Sequence, residues 1–186
     1  MEVVTGGGTG TYLQDAATGV FTEVQPGSFI FSDADYARNL DASGKEVSTW
    51  KHSLFVLGSV MSSTETPSQR WFVLDVGQKA HSVDSGLPLL LDFKVERFFF
   101  STMPSLFFPD VWLLSFSKGA TFENGGDEHG KVMLTGLETP MPALNTKVFL
   151  IPGHCDPTVN MYPQFVAIRG AVVEGSHPIE AHGPGL

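Results

Sequence analysis

A mainly β fold, a barrel or a sandwich, is what the sequence predicts. Short runs rich in Val, Phe, Ile and Leu recur along it, clusters of Gly, Pro, Ser, Thr and Asn with turn chemistry separate them, and only residues 32–40 suit a helical turn. Short strands spaced this way bury their apolar faces as a closed sheet or as two packed layers. Taken in order, Val3-Val4-Thr5 reads as a strand fragment of buried type that runs straight into glycines, as expected of a chain starting inside a larger domain. Residues 21–25 and 28–31 are β-prone runs joined by Pro26-Gly27. Residues 53–61 (SLFVLGSVM), 70–76 (RWFVLDV), 131–134, 147–151 (KVFLI) and 164–169 are further runs of strand length. Because residues 171–174 follow Gly170 so closely, residues 164–174 are predicted as a hairpin turning at Arg169-Gly170.

Composition narrows the function. A length of 186 residues suits one domain with a proper core, and a 42% hydrophobic share excludes a disordered chain. With Lys+Arg 11 against Asp+Glu 20 the net charge is −9, and no basic stripe exists to neutralise phosphates, so no nucleic-acid partner is expected. One cysteine, Cys155, leaves no internal disulfide framework and fits a reducing compartment. No basic-then-apolar leader follows Met1. Residues 87–116, the longest apolar-looking stretch, are broken by Asp92, Lys94, Glu96, Arg97, Pro104, Pro109 and Asp110, short of the roughly 18 uninterrupted apolar residues of a spanning helix. The expectation is a soluble, cytoplasmic chain without a membrane partner.

Two motifs carry chemistry. Gly6-Gly7-Gly8-Thr9-Gly10-Thr11 puts four glycines and two hydroxyls after a strand, so that backbone N–H groups can converge on an anion such as a phosphorylated cofactor. It lacks the Gly-Lys-Ser/Thr of a P-loop and the spacing and helix of a dinucleotide fingerprint, and a plain flexible turn is the competing reading. In IPGHCDPTVNMY the strand ends at Pro152-Gly153, and His154, Cys155 and Asp156 follow before Pro157 stops regular structure. Extended backbone would aim His154 and Asp156 at one point and Cys155 away, half a site for a divalent metal held rigid by flanking prolines. A satisfied surface turn is the alternative. Asp127, Glu128 and His129 crowd a glycine-flanked loop that could supply an orienting acid, a base or a further ligand, or simply be solvated. Residues 81–86 (HSVDSG) are similar without a defined role, while His52, His177 and His182 read as surface residues.

Together VVTGGGTGTY, EVQPGSFIFSDADY, VLDVGQKAHSVDSGLP, NGGDEHGKV and IPGHCDPTVNMY, in that order, resemble the D-threonine aldolase / D-serine dehydratase family of fold-type III, alanine racemase-like pyridoxal-phosphate enzymes. The resemblance implies a C-terminal β-barrel or sandwich domain preceded by the last strands of a truncated (β/α)8 barrel. Residues 1–42 would be the barrel remnant and residues 43–186 the β-domain. Gly7, Gly8, Thr9 and Gly10 would cradle the phosphate of pyridoxal 5'-phosphate, and His154 and Asp156 would ligate a divalent metal (Mn, Mg or Zn). The implied reaction is retro-aldol cleavage of a D-3-hydroxy amino acid to glycine and an aldehyde, with the cofactor as electron sink and the metal polarising the β-hydroxyl. A homodimer is implied for the full-length enzyme. The dehydratase branch carries Cys two residues after His; Asp156 stands there in this chain, which resembles the aldolase branch more.

Two departures stand out. The segment that would carry the Schiff-base lysine has no counterpart here, so these residues alone are expected to be inactive. Residues 90–118 depart from the family pattern with a Phe-, Leu- and Ser-rich stretch that holds seven of the 15 Phe, from Phe93 to Phe116, in neither a period of 2 nor of 3.6. Its composition fits translated non-coding sequence such as a retained intron, which would make it the least ordered part of the domain. Mature transcripts that still encode it would refute that origin. Besides a dehydratase-like fragment, two further functions compete: a non-haem iron oxygenase built on H-x-D plus His177, and a non-catalytic dimerisation module.

Overall fold

The computed structural model describes residues 2–41, 43–46, 49–91, 119–170 and 172–184. Its centre is a six-stranded sheet formed by β3 (Val56–Glu65), β4 (Arg70–Leu74), β5 (Leu89–Leu90), β6 (Ala120–Asn124), β7 (Gly130–Leu134) and β8 (Lys147–Ile151). The spatial order is β5-β8-β3-β4-β7-β6, with every neighbouring pair antiparallel. The edge strands β5 and β6 approach each other, so the sheet almost closes into a barrel. Alternation explains the closure. Val56, Val60, Phe72, Leu74, Phe122, Val132, Leu134, Val148 and Leu150 point inward into one core, and the residues that alternate with them along the strands are more exposed, except Ile151 at the end of β8, which is buried as well. A bulge between Val60 and Ser62 bends the long strand β3.

Two smaller sheets flank the barrel. β1 (Thr5–Gly6) and β2 (Glu23–Val24) pair in parallel, Thr5 with Glu23 and Gly6 with Val24. Between them the glycine loop feeds a six-residue helix, α1 (Tyr12–Ala17), which the sequence reading did not anticipate. Val3, expected to be buried, is exposed. β9 (Gln164–Arg169) and β10 (Val172–Pro178) form the predicted hairpin, and Gly170 takes the positive φ of +65° its turn requires.

Several local expectations change. The 28–31 run is a single 3-10 turn, Ser28–Ile30, rather than a strand: the Ser28 hydroxyl bonds Asp156 in the loop after β8, and the Phe31 carbonyl accepts the Ser53 N–H instead of joining a sheet. The helical stretch expected over 32–40 is one 3-10 turn, Tyr36–Arg38. Strands β5 and β6 were not foreseen. Each directs one buried residue inward, Leu90 and Phe122, too little to register as a run. The atypical stretch at 90–118 begins inside this sheet, since Leu90 pairs with Leu150; its residues 92–118 lie outside those described. Among the described residues no helix is long and apolar enough to cross a membrane.

Candidate functional site

The site forms where β8 ends. After Ile151 the chain turns through Pro152-Gly153, and α2 (Cys155–Val159) begins at once. His154 is its N-cap with extended backbone (φ −140°, ψ 122°), and Asp156 and Pro157 lie in its first turn. This corrects the extended reading of His-Cys-Asp: Pro157 sits inside a helix, in the first turn where its missing N–H costs nothing. Convergence survives through a different geometry, with Nε2 of His154 3.8 Å from Oδ2 of Asp156. Cys155 turns inward and is fully buried.

Three segments fix these side chains. Asp33 reaches across from the N-terminal region and accepts the Cys155 N–H at 2.7 Å, capping α2 from outside. Beside it the N–H groups of Ala34 and Asp35 donate to the carbonyls of Pro152 and Gly153. Ser28 donates its hydroxyl to Oδ1 of Asp156 at 3.2 Å, and the Cys155 thiol donates to the same oxygen at 3.1 Å. With Oδ1 engaged, Oδ2 is the oxygen facing His154. The third segment is the loop at 82–86. Asp84 Oδ2 lies 2.6 Å from Nδ1 of His154, with the Ser85 hydroxyl 3.4 Å from the same nitrogen. Gly86 and Gly153 pass so closely that a Cβ on Gly153 would stand 2.0 Å from the Gly86 carbonyl oxygen.

Electrostatics separates the groups. Burial works to lower the pKa of His154, but the Asp84 hydrogen bond and charge, with Asp156 and Asp33, outweigh it, and the net shift is upward. The Ser82 hydroxyl and then His154 hold the Asp84 carboxyl below its usual range. Burial first, then Asp156 and Asp33, drives the Cys155 thiol far above its ordinary value, so it is no ready nucleophile.

The donor set fits a divalent cation. With Nδ1 committed to Asp84, a neutral His154 turns the lone pair of Nε2 toward an Asp156 oxygen that can only accept. Two acceptors facing each other across 3.8 Å are satisfied by a cation between them. Among the described residues no cluster of three or more ligating side chains occurs, so an ion here would draw its remaining ligands from water or substrate.

The other expected residues lie elsewhere. Asp127 and Glu128 are in the exposed turn between β6 and β7, where both pair with Lys79. His129 is in the same turn, its carbonyl accepting the Gly125 N–H. In the glycine loop, Gly7 has φ +76°, and Thr9 is buried with an Oγ1 that has no hydrogen-bond partner among the described residues. That orphaned hydroxyl follows Gly8, whose surroundings are open, and can take an oxyanion there, while Gly7 lies against the Asp15 carboxylate and Gly10 against Asn39. Sequence reasoning missed Asp33 and Ser28 and gave Asp84 no role. The His-Ser-Val-Asp-Ser-Gly cluster was the one signal that pointed there.

The nearly closed sheet and the His–Asp pair at the end of β8 describe a mainly β domain with one candidate site. Residues 53–168, more than half of the chain, match the family described as "Putative serine dehydratase domain", and the chain belongs to that family. It is 39% identical over 186 residues to 3-hydroxy-D-aspartate aldolase of Paracoccus denitrificans (strain Pd 1222), covering 99% of this chain and 40% of that enzyme. The chain thus spans about 40% of the length of the curated relatives it matches. Among solved structures it superposes on D-threonine aldolase from Filomicrobium marinum with TM-score 0.73 and 34% identity, over 97% of this chain and 41% of that one. D-threo-3-hydroxyaspartate dehydratase from Delftia sp. HT23 superposes with TM-score 0.64 over 97% of this chain and 44% of that one, a likeness at 20% identity that shows the fold alone. The mainly β portion of an alanine racemase-like enzyme is therefore the fold of this chain.

Proposed function

We propose that this chain is the metal-binding portion of a pyridoxal-phosphate- and divalent-metal-dependent lyase that cleaves D-3-hydroxy amino acids to glycine and an aldehyde. The observation that carries the reading is the His154–Asp156 pair, two acceptors facing each other across 3.8 Å on a loop gripped from three sides. In such an enzyme the cofactor supplies the electron sink and the metal a Lewis acid at the substrate hydroxyl. His154 would hold the ion through Nε2 and Asp156 through Oδ2, with Oδ1 kept in place by Ser28 and the thiol of Cys155. Thr9, with Gly7, Gly8 and Gly10, would hold the phosphate. Asp127, Glu128 and His129 are given no step, their contacts being those of the hairpin turn. A carboxylate at 156 and the 34% identity to a D-threonine aldolase favour the aldolase reading over a dehydratase.

On this reading residues 1–42 belong to the cofactor-binding barrel and residues 43–186 to the β-domain, two such chains pair in the full-length enzyme, and these 186 residues alone do not turn over substrate. The test is Mn2+ binding followed by electron paramagnetic resonance. The chain is expected to bind one ion, and His154→Ala or Asp156→Ala to weaken binding at least tenfold. Equal affinity in all three proteins overturns the metal reading. Glycine released from D-threonine by the chain with added pyridoxal phosphate overturns the inactivity.

A further inference from the structure

His154 is held through both its backbone and its ring by one closed ring of hydrogen bonds. Its carbonyl accepts the Thr158 hydroxyl at 2.7 Å. The Thr158 oxygen accepts the Ser82 N–H at 3.1 Å. The Ser82 hydroxyl donates to Oδ1 of Asp84, and Oδ2 of Asp84 meets Nδ1 of His154 at 2.6 Å, which closes the ring. Ser82 and Thr158 are buried, so the frame of this ring is shielded from water even though the Asp84 carboxylate is half exposed. An ionised carboxylate can only accept, so the short contact at Nδ1 needs a proton on that nitrogen. The neutral ring then keeps its lone pair on Nε2, the nitrogen that faces Asp156 at 3.8 Å. Ser82 matters because it occupies Oδ1 and turns the other carboxylate oxygen toward the imidazole.

We propose that Asp84 is a positioning residue that fixes His154 in the Nδ1–H tautomer and holds its ring with Nε2 facing Asp156, preparing the imidazole to take a divalent cation. The proposal rests on the metal reading above for its purpose, but its first consequence shows without any metal. A ligating histidine whose second nitrogen is held by a carboxylate is both oriented and more basic, and loss of such a partner typically weakens metal binding 10- to 100-fold. The side-chain hydrogen bonds of Asp84 among the described residues run to Ser82 and His154, so it would act through His154.

The experiment is 15N-edited NMR of the metal-free chain labelled at histidine, recorded at alkaline pH where the imidazoles are neutral, alongside Mn2+ titration. Wild type is expected to show His154 as the Nδ1–H tautomer. Asp84→Ala should release it to the Nε2–H form that free imidazoles favour and weaken Mn2+ about 10- to 100-fold. Asp84→Asn, which keeps an acceptor oxygen but no charge, should retain the Nδ1–H tautomer and bind Mn2+ with intermediate affinity. Because Asp84 is half exposed, both variants should fold, and unchanged amide spectra away from residues 82–86 and 152–158 verify it. A wild-type Nε2–H tautomer, or a tautomer indifferent to Asp84→Ala, overturns the proposal. So does Mn2+ binding by wild type that Asp84→Ala leaves unchanged. If instead the tautomer flips as expected but wild type takes up no Mn2+, the metal reading of the site falls while the positioning of His154 by Asp84 stands.

Discussion

At Asp33 two backbone N–H groups from distant parts of the chain meet one buried carboxylate: Cys155 donates to Oδ2 at 2.7 Å and Tyr36 to Oδ1 at 2.9 Å. Asp33→Ala would leave both donors without their acceptor, and an unsatisfied buried donor costs about 1–3 kcal/mol. We expect that variant to unfold several degrees earlier in a thermal melt, and Asp33→Asn, which can still accept one N–H, to lose less. Residue chemistry also makes a pH prediction at His81, which is buried against Phe122 and, among the described residues, bonds the Ser82 carbonyl through Nδ1. Burial, only partly offset by that carbonyl, lowers its pKa below the ordinary 6.5. The unfolded chain therefore takes up a proton at this residue while the native state still refuses it. Stability falls as pH drops through 6.5 toward the native pKa, and above 6.5 the residue contributes no pH dependence. Urea melts should show wild type losing stability more steeply than His81→Gln as pH falls below 6.5, with parallel curves well above it. Equal slopes in the acid range would show that His81 is not the group responsible.

Among the elements, some are carried by a sequence pattern and others are created by tertiary contact alone. Strands β4, β7, β8 and β9 were legible because each places two or more apolar residues at alternate positions, as in Lys147–Ile151. Edge strands β5 and β6 were not, having one buried side chain apiece. The Phe-Ile-Phe at 29–31 looked like strand and became a 3-10 turn, since its neighbours Ser28 and Asp33 are tied to the α2 loop, a tertiary bond that local propensity does not encode. For the site, the His-x-Asp spacing was readable, while its supports at positions 28, 33 and 84 were not, because they come from 70 or more residues away. The β8–α2 connection tests that dependence. A Cβ on Gly153 would stand 2.0 Å from the Gly86 carbonyl oxygen, backbone against backbone, so one loop must move. Gly153→Ala is expected to cost about 1–3 kcal/mol and to weaken Mn2+ binding, as it shifts His154 away from Asp84. Gly27→Ala, where an added Cβ meets nothing within 4 Å, should change stability by no more than about 0.5 kcal/mol.

Over the whole molecule the barrel core and the His154–Asp156 loop are separate structures that share strand β8, and this makes core stability and the proposed ion binding separable. Phe72 sits at the middle of β4 with no exposed surface, opposite Ser63 on β3 and Val132 on β7. It belongs to the core cluster with Leu74, Phe122, Val132 and Leu150 among others, and the side chains hydrogen-bonded to those of His154 or Asp156, namely Asp84, Ser85, Ser28 and Cys155, are not part of that cluster. Phe72→Ala removes most of an aromatic ring from a close-packed interior whose surroundings relax only in part, at a cost of about 3–5 kcal/mol. Against a typical domain stability of about 5–15 kcal/mol, that loss leaves the variant folded only under mild conditions. Phe72→Leu, which keeps most of the volume, should lose less than about half as much. The decisive measurement pairs denaturant melts with Mn2+ titration at low temperature on the folded protein. We expect the denaturation midpoint to fall sharply in Phe72→Ala while Mn2+ affinity stays within about twofold of wild type, the additivity expected of sites without shared partners. A parallel collapse of Mn2+ affinity in the still-folded variant would mean that β8 transmits core strain to His154, and that the loop's three anchors do not suffice to hold it.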